Sequence, residues 1–112
     1  MQKEYDNDNI FLKIINGEIP CNKVYEDDEV LCFHDINPKA PVHVLLVPKE
    51  KYVSFDDFVK KSSMEKVYKF FRTAAEIAQN LNLKSYRIVA NCGLGAGQVV
   101  FHYHLHIMGY LE

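Results

Sequence analysis

Between residues 101 and 107 the chain reads Phe-His-Tyr-His-Leu-His-Ile, a strict two-residue alternation that suits a β-strand and no helix. Alternate side chains of a strand share a face. His102, His104 and His106 are therefore expected on one side, with Phe101, Tyr103, Leu105 and Ile107 on the other. One face packs while the other is free for chemistry. The strand reading extends from Val99 to Met108, and an apolar strand face needs neighbours and a cover.

Both are present in the sequence. Val24-Tyr25 and Val30 to Phe33 are β-prone and flank Glu26-Asp27-Asp28-Glu29, which suits a hairpin with a solvated acidic tip. The proline-containing stretch Ile36 to Pro41 predicts a loop leading into a strand at Val42 to Val47, which Pro48 ends. Tyr86 to Asn91 supplies a further β-rich segment, joined to Val99 by the glycine-rich connection Cys92 to Gly97. The cover is a long helix: Ser62 and Glu65 have capping-box spacing, and Val67, Phe70, Phe71, Ala74, Ile77, Ala78 and Leu81 form one stripe. A shorter helix is predicted from Ile10, Phe11, Ile14 and Ile15, with cap-forming Asn7 to Asn9 before it and Gly17 and Pro20 after it. Tyr52 to Lys61 has room for a short helical turn. This order of elements predicts an α+β domain with an antiparallel sheet.

At 112 residues and 48% hydrophobic content, the chain can build one core and not two, so residues 1–112 are read as a single domain with 1–8 as a flexible start. A formal net charge of -2, with Lys and Glu scattered, argues against a nucleic-acid partner. Cys21, Cys32 and Cys92 make neither a CxxC pair nor a disulfide framework, which points to a reducing, cytoplasmic setting. No apolar run approaches the roughly 18 residues of a membrane span, and the start has no signal-peptide pattern.

A lone histidine is most often structural, but three of the chain's five histidines share one alternating row. Two chemical readings compete for it. Imidazoles two apart on a strand can converge on zinc, with His43 as a further ligand. Alternatively, Gly93, Gly95 and Gly97 just upstream allow close backbone approach, and their N–H groups could cradle a phosphate. An imidazole pKa of about 6.5 then lets one histidine be a neutral nucleophile while its neighbour is a protonated acid. Covalent capture on histidine would split displacement at phosphorus into two steps.

The run His102-Tyr103-His104-Leu105-His106-Ile107-Met108 resembles the signature of the histidine triad (HIT) family. The resemblance extends to Ile10-Phe11, Lys13-Ile14-Ile15, Glu18-Ile19-Pro20, Glu26-Asp27-Asp28, Phe33-His34-Asp35-Ile36, Pro38 to Pro41, His43, Val47-Pro48-Lys49, Asn91 and Gly97-Gln98, as in the nucleoside phosphoramidase branch. It implies a HIT-like fold, a five-stranded antiparallel sheet with one long and one short helix, paired into a homodimer through the long helix and a strand edge. It also implies cleavage of nucleoside 5′-phosphoramidates or related nucleotidyl substrates at the α-phosphorus, without a cofactor or metal. His104 would be nucleotidylated, His106 would contact the phosphate and assist proton transfer, and His102 and His43 would fix the nucleophile's tautomer. Asn91, Gly97, Gln98, Val99 and Val100 would surround the phosphate and leaving group. Asp35 would hold the ribose, with Phe11, Phe33, His34, Ile36 and Leu45 around a purine base of an AMP or GMP derivative.

Three departures bear on selectivity. Val99 stands where that branch commonly has a serine able to donate to the leaving group, help worth roughly 10²–10⁴-fold when well placed. The sequence ends at Glu112, where branch members often continue into a tail that reaches the partner's site. Asn9, Leu12 and Tyr52 occupy positions that in some bacterial relatives hold a structural zinc. Two alternatives stand beside the phosphoramidase reading: a dinucleoside polyphosphate hydrolase, and a nucleotide- or partner-binding module with little catalytic role.

Overall fold

The computed structural model describes residues 4–111. Helix α1 (Ile10–Ile15) begins where the Asn9 side chain accepts the Leu12 N–H at 2.9 Å and ends at Asn16, just before Gly17, whose φ of 78° few other residues would tolerate. Strands β1 (Lys23–Glu26) and β2 (Val30–His34) form the expected hairpin. Its tip closes on Asp27, whose Oδ1 accepts the Glu29 and Val30 N–H groups at 2.8 and 2.9 Å. Strand β3 (Val42–Pro48) follows the proline loop.

The long helix α3 (Met64–Asn80) starts one residue later than the capping-box spacing suggests. Ser63, not Ser62, is its cap, accepting Lys66 N–H at 3.1 Å, because Ser62 is already engaged in closing the short helix α2 (Phe55–Lys61) through its N–H to Phe58 O. Helix α2 lies within the stretch read as a possible turn, and so accompanies the expected long and short helices. Beyond α3, Asn82 takes the left-handed conformation at φ 59°, and the chain reverses into β4 (Ser85–Val89).

The last strand, β5 (Leu105–Tyr110), completes a five-stranded antiparallel sheet of order β1-β2-β3-β5-β4. This strand is shorter at its start than the alternation predicts, and the reason lies in its neighbour. Pairing with β3 begins at Leu46 opposite Leu105; further along β3, Pro48 has no N–H to give, and its carbonyl is taken by His102 Nε2 at 2.7 Å. Residues 99–104 therefore run outside the ladder. The two-faced pattern persists through them all the same. Tyr103, Leu105 and Ile107 pack with Val44, Leu46, Phe58, Phe70, Ala74 and Ile77 on the helical side of the sheet. On the opposite side α1 seats Phe11 against Leu31, Phe33, Leu45 and Val47. Among the described residues no helix is long and apolar enough to cross a membrane.

The flexible start expected at 1–8 is only partly within view, since 1–3 lie outside the described residues. Residues 4–8 are described, and Tyr5 lies against His102 with ring centroids 5.6 Å apart.

Tyr103 sits at the centre of the helical-side core, stacked on Phe58 at 4.9 Å and beside Phe70 at 5.4 Å. Its hydroxyl is buried without a hydrogen-bond partner among the described residues, and burial pushes its pKa well above the usual value. Tyr103→Phe is expected to leave stability unchanged or raise it by about 1 kcal/mol, because an unpaired buried hydroxyl is removed with no loss of ring packing. Phe70→Ala, which opens a cavity in the same cluster, should cost roughly 3–5 kcal/mol in denaturant unfolding.

Candidate active site

Register on β3 and β5 brings His43 and His106 to the α1 side of the sheet, because His106 lies opposite Leu45 and shares its face. His104, two residues before His106 and just ahead of β5, follows on the same face. The His104 ring meets Phe11 edge-on at 4.8 Å and His106 at 5.1 Å. These rings form one wall of a cavity of about 550 Å³, the size of an ordinary small-molecule site.

Of the residues singled out in the sequence, Phe11, Phe33, His34, Asp35, Ile36, Leu45, Asn91, Gly97, Val99, Val100, His104 and His106 line this cavity. Gln98, His102 and His43 do not. Gln98 is a buried brace, donating from Nε2 to the carbonyls of Val53 and Val100 at 2.7 and 3.1 Å and accepting Gly93 N–H at 2.9 Å. The glycine turn likewise spends much of its backbone on itself: the N–H groups of Ala96, Gly97 and Gln98 bond to Gly93 O, Leu94 O and Gly93 O. Those amides are not turned toward an anion. Ile10, Ile14, Pro20, Cys21, Asn22, Asn37 and Lys39 also line the cavity and were not anticipated. Ile10 and Ile14 had a visible signal, sharing the α1 face with Phe11 at helical spacing.

Hydrogen bonds assign each imidazole a tautomer. His104 Nδ1 lies 2.7 Å from the His102 main-chain carbonyl, which can only accept, so Nδ1 carries the proton and Nε2 keeps its lone pair. His43 Nδ1 accepts the Lys39 backbone N–H at 3.0 Å, so its proton is on Nε2, which donates to His106 Nδ1 at 2.9 Å. His106 must then hold its own proton on Nε2. Two neighbouring rings thus end in opposite roles, His104 as acceptor and His106 as donor. Asp35 Oδ2 lies 3.5 Å from His43 Nε2 and supports its N–H, while Asp35 Oδ1 accepts Asn37 N–H at 2.8 Å, so this residue is both a turn former and part of the site.

Burial enforces neutrality. Desolvation lowers the pKa of His43 and His104, and carries His102 and His106 down to about 4. With the rings neutral, His104 and His106 differ by tautomer and not by protonation state. His102 is wholly buried, with Nε2 on Pro48 O and Nδ1 receiving the Tyr5 hydroxyl at 2.6 Å. It orients His104 through its carbonyl, whereas His43 acts on His106.

The zinc reading fares poorly on donor chemistry. Asp35, His43 and His106 have ligand atoms within 4.8 Å of one another. Coordination through His43 Nε2 would leave the ring's proton on Nδ1, against the Lys39 N–H already pointing there. The Asn9 side chain is occupied as the cap of α1, Leu12 is buried, and Tyr52 packs on Phe58 on the helical side of the sheet.

A histidine kept neutral by folding binds a proton more readily when unfolded. Since His102 and His106 fall from about 6.5 to about 4, stability is complete above pH 6.5 and is lost as pH falls toward 4. Denaturant unfolding between those pH values should show an uptake of at least about two protons, His43 and His104 adding to the contribution of His102 and His106, and His106→Gln should remove part of the slope.

Comparison with known proteins places the chain in a family. A family model described as HIT domain matches residues 16–112. An uncharacterized 13.2 kDa HIT-like protein of Azospirillum brasilense is 45% identical over 109 residues, covering 96% of this chain and 89% of that protein. A histidine triad protein from Clostridium difficile superposes with a TM-score of 0.86 at 43% identity, covering 97% of this chain and 96% of that one. A HIT family hydrolase from Legionella pneumophila Philadelphia 1 gives 0.85 at 38% identity, with 94% and 95% covered. Sequence and fold converge, and the chain belongs to the HIT domain family.

Proposed function

We propose that this protein is a nucleotidyl hydrolase, cleaving nucleoside 5′-phosphoramidates or related nucleotides at the α-phosphorus through a nucleotidyl-His104 intermediate. The observation that carries the reading is the paired tautomer: the His104 Nε2 lone pair lies beside the His106 Nε2–H on the wall of one cavity. His104 attacks phosphorus as the bond to the leaving group breaks, and the leaving group departs with a proton drawn from solvent. The His106 N–H stabilises charge on the phosphoryl oxygens. Water then attacks the same phosphorus, frees His104 and releases the nucleoside monophosphate with loss of one proton. Phe11 and Phe33 offer flat apolar surfaces and Leu45 an aliphatic one against which a purine would pack, and Asp35 on the same wall would hold the ribose hydroxyls.

The relatives support hydrolysis in general, one of them being described as a hydrolase. Exposed Tyr86 and Ile88 on the edge strand β4 support pairing into a homodimer. Free Cys21, Cys32 and Cys92 suit a reducing, cytoplasmic compartment. One observation favours dinucleoside polyphosphates as a second substrate class: Lys39, exposed on the cavity wall, acts electrostatically on His43 and His106 and could meet a second phosphate.

Adenosine 5′-phosphoramidate, assayed with chelator present, should be turned over by the wild type, with a transient adenylyl adduct in rapid-quench mass spectra. His104→Ala should lose more than about 10³-fold in kcat with its fold retained. Near wild-type turnover by the variant would refute the histidine nucleophile.

A further inference from the structure

His104 takes its orientation from one acceptor, the main-chain carbonyl of His102. That carbonyl lies upstream of Leu105, where β5 begins, so no strand ladder holds it. It is held by anchors of other kinds. The Tyr103 N–H donates to Tyr52 O at 2.7 Å, and the His102 ring is tied at both nitrogens, to Pro48 O and to the Tyr5 hydroxyl.

Tyr5 is distant in sequence and is itself seated. Its ring stands at 68° to that of His102, Lys51 Nζ lies 5.9 Å from its centroid, and the same Nζ donates to Asn7 Oδ1 at 2.7 Å. The bond's polarity is fixed as well. Pro48 O accepts only, so the His102 proton is on Nε2 and Nδ1 must receive the hydroxyl.

We propose that Tyr5 is a positioning residue for the nucleophile: its hydroxyl, donated to His102 Nδ1, fixes His102 and so the carbonyl that selects and aims the His104 tautomer. This rests on the reading of His104 as nucleophile. Without the hydroxyl, a fully buried imidazole nitrogen loses its donor, and the ring regains a partner only by turning toward water. Residues 102–104 lie at or before the start of the ladder, so such a turn carries the His102 carbonyl with it. His104 then samples the second tautomer, in which Nε2 bears the proton and cannot attack.

Tyr5→Phe tests this, since it keeps the ring, its contact with His102 and the Lys51 cation above it. Expected are a fall of about tenfold in kcat on adenosine 5′-phosphoramidate with KM unchanged, and a change in imidazole nitrogen NMR spectra from a single Nδ1–H form of His104 to a mixture of tautomers. Tyr5→Ala should show the same two changes, larger. Wild-type kcat with an unaltered His104 spectrum overturns the proposal, as does a fall in Tm alone, which would mark a merely structural contact. If the wild type proves inactive, the reading of the site as a hydrolase fails, while the His104 spectra of wild type and Tyr5→Phe still decide the role of Tyr5.

Discussion

The site depends on the removal of water from imidazole. The fold leaves His43, His102 and His104 almost without solvent contact, with Phe11 of α1 against His104, and a charged ring in such surroundings is costly. Neutral rings have one donor and one acceptor each, so the placement of backbone carbonyls and amides dictates which nitrogen does what. The His102 carbonyl makes His104 a lone-pair donor toward the cavity; the Lys39 amide, through His43, makes His106 an N–H donor. Main-chain groups are suited to this task because the fold holds them without side-chain freedom.

Much of this was legible in the sequence, and the reasons differ by residue. Two-residue alternation separated His104 and His106 from Tyr103, Leu105 and Ile107, because strand geometry leaves few other ways to arrange such a pattern. That Phe11, Phe33 and Leu45 line a cavity was legible only through resemblance, since they would look the same as ordinary core. Gln98 was expected near the phosphate only through resemblance, and its side-chain amide instead holds the turn to Val53 and Val100. The start of β5 was misplaced because alternation reports faces and not hydrogen-bonded partners. Tyr5 had no signal, since its contact with His102 spans a sequence separation of 97.

The two sides of the sheet have separate duties. The helical side carries the larger apolar cluster, in which Phe58, Phe70 and Tyr103 pack ring on ring. The α1 side trades part of its apolar area for imidazoles and an open cavity. Residues of β5 alternate between these duties, so the strand transmits the rigidity of one face directly to the chemistry on the other.

Lys39 faces the site twice, by its main chain and by its side chain. The amide fixes the tautomer of His43, while the side chain reaches the cavity wall from an exposed position. Any amino acid except proline can supply that amide. The side chain at 39 can therefore be exchanged during evolution, altering which ligands are welcomed, without touching the proton arrangement on which turnover would rest. On the proposed reading, ligand selectivity and acid–base wiring would be stored in different atoms of the same residue, leaving one free to drift while the other stays fixed.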